Sequence, residues 1–79
     1  MGLSDEIRIA RQKTFFSQEA FAQALHVAVS TVNRWETGKS KPNLTAMKAL
    51  KAFCDEHEVP YSGIENEWLV INSNSEREN

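Results

Sequence analysis

Residues Ser17–Pro42 read SQEAFAQALHVAVSTVNRWETGKSKP, and the spacing of their apolar side chains decides how the rest of the chain is read. Ala20, Phe21, Ala24 and Leu25 recur at three- and four-residue intervals, which places them on one face of a helix, and Ser17 precedes them as an N-cap. That helix is predicted to end at Leu25. After a turn at His26 and Val27, Val32 and Trp35 mark the inner face of a second short helix. It is closed at Thr37-Gly38, where glycine accepts the left-handed conformation that a helix end favours. Two short helices joined by a tight turn make a helix-turn-helix unit, although that spacing alone is a weak signal.

The flanks continue the helical pattern, with no convincing strand alternation. Upstream, Ser4 caps a helix with Asp5 and Glu6 in its first turn, and Ile7, Ala10 and Arg11 share a face up to about Lys13. Downstream, Lys39-Ser40-Lys41-Pro42 is a basic loop. Asn43 caps a fourth helix whose inner stripe is Leu44, Met47, Leu50, Phe53 and Cys54, stopping before Pro60. Ser62 and Glu65 form a capping box that opens a fifth helix, with Ile64, Trp68 and Ile71 in register. The expectation is a compact all-α fold of five helices, a single domain over 1–71, followed by a disordered tail over 72–79, NSNSEREN, which has nothing to bury. A length of 79 residues with 41% hydrophobic composition suits one small core, and a domain of this size buries only about 60% of its unfolded surface.

Several function classes are set aside by composition. The apolar runs fall well short of the roughly 20 residues of a membrane span. MGLSDEIRIAR has no signal-peptide character, so the expected location is the cytoplasm. One cysteine, Cys54, and two separated histidines supply no metal ligand set, and no glycine-rich phosphate loop marks a cofactor. Cys54 and His57 lie three apart on the fourth helix but lack an orienting third group and an oxyanion site, so no enzyme is expected. Charge is divided along the chain. Residues 1–52 hold eight basic and four acidic side chains, whereas 53–79 hold one basic and seven acidic, for a net charge of -2. A basic half can present a positive face to phosphate even in an acidic chain.

Taken whole, Ser17–Pro42 closely resembles the helix-turn-helix domains of the phage lambda repressor and Cro (XRE-type) superfamily, with the resemblance running from about Ile7 to Phe53. Its anchors are Ser17-Gln18-Glu19, Ala22, Val32, Trp35-Glu36, Gly38 and Lys41-Pro42. The resemblance implies a lambda-repressor-like DNA-binding domain in which helices two and three form the helix-turn-helix. It implies that Arg11 and Glu36 form a structural ion pair tying helix three to helix one, and that Gln18 meets a DNA phosphate at the start of helix two. Lys39 and Lys41 would neutralise phosphates beyond helix three, about residues 28–37, which would lie in the major groove.

With Val32 and Trp35 turned inward, helical spacing leaves Val29, Ser30, Asn33, Arg34 and Thr37 outward. Arg34 has the two donors that match guanine O6 and N7, Asn33 matches adenine N6 and N7, and Val29 methyls suit thymine. The implied function is a sequence-specific transcriptional regulator, a repressor acting on double-stranded DNA. A homodimer is expected on a palindromic site, with Ile64, Trp68 and Ile71 as the candidate dimer surface; packing of that stripe on the chain's own core is the alternative. A second functional reading is an antitoxin or other interaction module whose acidic half docks a protein toxin. The chain departs from the pattern at three places. Phe15 and His26 stand where glycine is common, so His26 is expected at positive φ, and Ala28 stands where serine or threonine caps helix three.

Overall fold

A computed structural model describes the backbone of residues 2–77 and the side chains up to Ile71. It contains α1 Leu3–Lys13, α2 Gln18–Leu25, α3 Val29–Glu36, α4 Leu44–Glu56 and α5 Ser62–Arg77, with no strand among the described residues.

The helix starts follow local chemistry, with two corrections. Ser17 Oγ accepts the Ala20 N–H at 3.0 Å and Asn43 Oδ1 accepts that of Ala46 at 2.8 Å, so α2 and α4 are capped as their sequences predict. Ala28 occupies the cap of α3 with no side-chain hydrogen bond. Ser4, by contrast, lies inside the first turn of α1, and Gly2 holds the cap position. Leu3 is buried in the core, and docking it there draws the chain into helix one residue earlier. Ser62 is itself the first helical residue of α5; the Glu65 N–H bonds the Tyr61 carbonyl at 3.0 Å, so Tyr61 stands where the capping box placed Ser62.

Four helices end in the same way. In each, the residue past the helix adopts a left-handed φ, its N–H turns back onto the last turn, and the next N–H reaches one carbonyl further in, the Schellman arrangement. The left-handed residues are Phe15, His26, Gly38 and Glu58, with φ of 61°, 61°, 79° and 57°. The second bond of each motif is Phe16 N–H to Arg11 O, Val27 N–H to Ala22 O, Lys39 N–H to Arg34 O and Val59 N–H to Cys54 O, at 3.3, 3.0, 2.9 and 2.9 Å. His26 therefore takes the positive φ expected of it.

The core gathers one face from every helix. Ile7, Phe21, Val32, Leu50 and Ile64 are sealed from solvent, and burying a side chain of this size stabilises the fold by about 1.5–3 kcal/mol. Phe53 receives the edges of Phe21 and Phe16 at centroid distances of 5.0 and 5.2 Å, joining α4 to α2 and to the α1–α2 loop. Leu44 departs from its expected stripe: it is 61% exposed, because α4 turns Ala46 and Met47 inward at its start.

Along α5, the stripe named as a dimer surface turns inward. Ile64 is buried, and Trp68 and Ile71 pack against the core, with Trp68 Nε1 donating to the Pro42 carbonyl at 2.7 Å. The outward apolar residues of α5 are Leu69 and Val70. The backbone remains helical past Ile71, where the sequence placed the domain boundary, and the side chains of the expected tail 72–79 lie outside the described residues.

Candidate nucleic-acid interface

Helix α3 owes its position to an ion pair. Glu36, at its last turn, is buried; Arg11 of α1 donates Nε to Oε2 at 2.7 Å and Nη2 to Oε1 at 2.9 Å, a two-pronged contact. The same guanidinium donates Nη1 to the Phe16 carbonyl at 2.9 Å, which holds the α1–α2 loop as well. The hydrogen bond to Glu36 raises the Arg11 pKa further and keeps it charged, against a smaller opposing effect of burial. Gln18 closes the set by donating Nε2 to Glu36 Oε1 at 3.0 Å. Its amide is thus engaged inside the protein, where the sequence reading had placed it on a phosphate; Glu36 draws it because a buried carboxylate gains from every donor in reach.

On the opposite side of α3, Val29, Ser30, Asn33 and Arg34 are exposed along one face. Thr37 lies at its end, but its hydroxyl donates to the Asn33 carbonyl at 2.9 Å and serves the helix terminus, so its free surface is mainly methyl. Lys39 follows the Schellman turn at Gly38 and is exposed. Lys41 sits further round: with Thr31, Ser40 and His26 it lines a depression of about 630 Å³ between α3 and the start of α4. The α3 face and Lys39 thus form one continuous surface, with Lys41 on its flank.

Two neighbours of this surface had not been singled out from the sequence. Glu19 and Gln23 of α2 border Val29 around a depression of about 330 Å³. Gln23 lies outside the apolar stripe of α2, and that outward register is the signal from which it was to be found.

Other chemistry finds little support. Cys54 is buried, and burial, helped by Asp55, pushes its thiol up to about 11, the reverse of an activated nucleophile. The His57 ring lies against Phe53 and Phe16 at 4.4 and 5.2 Å. Among the described residues no three His, Cys, Asp or Glu cluster to hold a metal, and no helix is long and apolar enough to cross a membrane.

Comparison with known proteins agrees with the arrangement of α2 and α3. A family model described as helix-turn-helix matches residues 7–58. The chain is 28% identical over 53 residues to the HTH-type transcriptional activator BcrR of Enterococcus faecalis, an alignment taking in 67% of this chain and 26% of that protein. The chain therefore spans about a quarter of the length of this relative. No solved structure matches at a significant level.

Proposed function

We propose, because this chain belongs to the helix-turn-helix family, that it binds double-stranded DNA and regulates transcription by laying α3 in the major groove of an operator. The observation that carries this reading is the exposed face of Val29, Ser30, Asn33 and Arg34, continuous with Lys39, on a helix whose inner side is fixed by Arg11 and Glu36. Arg34 and Asn33 supply donors for base edges, while Lys39 and Lys41 supply charge for phosphate. Gln18 approaches the backbone through the α2 N-terminus, its side chain held on Glu36. Occupancy of an operator that overlaps a promoter excludes polymerase, so repression is the proposed outcome. One domain of this size touches few base pairs, so tight binding calls for two copies on a palindrome with half-sites about 34 Å apart.

Binding of the chain to a random duplex pool across a salt series tests this reading. Arg34→Ala is expected to relax base preference at one position by about 1–3 kcal/mol, whereas Lys39→Ala weakens all sequences alike and lowers the salt slope by about 1. Absence of binding to any duplex at low salt overturns the proposal.

A further inference from the structure

The depression beside Val29 has a composition that suits neither phosphate nor water. Its floor is apolar, from Ala22, Val27 and Val29, and its rim is polar, from Glu19 and Gln23. Val29 is 41% exposed at the front of an otherwise polar helix face, and the core does not require it there. Its β-branched side chain is stiff in a helix and presents its methyls in a fixed direction. Ala28, just before it, makes no capping bond and is exposed, so no longer side chain at the cap overhangs the approach. Glu19 repels phosphate, which turns this corner toward a base edge while Arg34 and Lys39 attract the backbone further along.

In the major groove the C5-methyl of a pyrimidine is the apolar group that base pairs present. Resting on the DNA-binding reading above, we infer that the hollow bounded by Glu19, Gln23 and Val29 receives a pyrimidine C5-methyl group, with Val29 as its contact and Glu19 and Gln23 on the exocyclic atom at C4. Two bases carry that methyl. Gln23 donates to the O4 of thymine, and Glu19 accepts from the N4 amino group of 5-methylcytosine, so the rim accommodates either.

The test uses the full chain and the duplex enriched from a random pool. Each thymine is replaced singly by deoxyuridine, which removes only the methyl, and each cytosine singly by 5-methylcytosine, which adds one. At one position per half-site, loss of the thymine methyl is expected to weaken binding about fourfold, the effect of one buried methyl. Val29→Ala should then bind the thymine and uracil duplexes equally. A gain on methylating one cytosine, abolished by Val29→Ala, assigns the site to 5-methylcytosine and equally supports the inference. If every single replacement stays within twofold, or if sensitivity to the methyl survives in Val29→Ala, the inference is overturned while DNA binding stands. A pool that yields no enriched duplex overturns the DNA reading and this inference with it. Circular dichroism of Val29→Ala, an exposed substitution, checks that the fold is retained.

Discussion

Glu36 keeps its charge where water is excluded, and donors from two other helices make that tolerable. Removing the carboxylate by Glu36→Ala leaves Arg11, itself largely covered, without its partner, and is expected to lower stability by about 3 kcal/mol, read as a reduced urea midpoint. Gln18→Ala removes one of the donors and should cost about 1 kcal/mol by the same measurement. Cys54 acts through pH. Its folded thiol holds its proton to about 11, against 9.0 for an ordinary one, so above pH 9 the unfolded chain releases a proton that the folded chain retains. Stability is therefore full below about pH 9 and declines as pH rises toward about 11; Cys54→Ala should flatten that decline, leaving the part due to Tyr61, which burial also raises. The Arg11–Glu36 pair was legible only through the family resemblance, because the two residues are far apart in sequence. The inward turn of Gln18 was not legible at all: spacing places a residue on a helix but does not say which buried charge its side chain will find.

Four helices stop on a left-handed residue, yet only one of the four is glycine. A side chain with a Cβ is strained there by roughly 1–2 kcal/mol, and glycine relieves the strain at some entropic cost in the unfolded chain. Phe15→Gly, His26→Gly and Glu58→Gly are each expected to stabilise the fold by about 0.5–1 kcal/mol in thermal or urea denaturation. Phe15 is the clearest case, being 95% exposed with little packing to lose. Ala28→Ser, which restores the missing cap of α3, should add about 1 kcal/mol. The ends at Gly38 and His26 could be read beforehand, the first from glycine itself and the second from the family pattern. Glu58 could not: its residue type gives no hint of a left-handed turn, and Pro60 announced only that α4 had to stop. The start of α1 was misplaced for a related reason, since burial of Leu3 outweighs the capping preference of Ser4.

At the scale of the whole molecule, the helix count and the inner faces were written in the periodicity, but the outer faces were not. Alpha-helical spacing picked out Ile64, Trp68 and Ile71 without saying whether they meet the chain's own core or another copy; the structure folds them inward and leaves Leu44, Leu69 and Val70 on the outside. Leu44 and Leu69 flank a groove with Lys48 on the α4 bank and Glu65 on the α5 bank. A two-fold axis across that groove sets lysine against glutamate, so this is the surface on which the proposed homodimer would form. Sedimentation equilibrium should find Leu69→Lys monomeric at concentrations where the parent chain dimerises, with weaker binding to a palindrome and unchanged binding to a half-site; a parent chain that is monomeric on the palindrome would refute the dimer. Trp68 belongs to two places at once, for its ring walls that groove while its Nε1 grips the carbonyl of Pro42, at the end of the basic loop. By thermodynamic reciprocity, whatever free energy a groove occupant imposes on the loop through this indole, a phosphate on the loop returns to the groove in equal measure. A shift in Trp68 fluorescence on adding duplex, lost in Trp68→Phe, would report that linkage from within the protein.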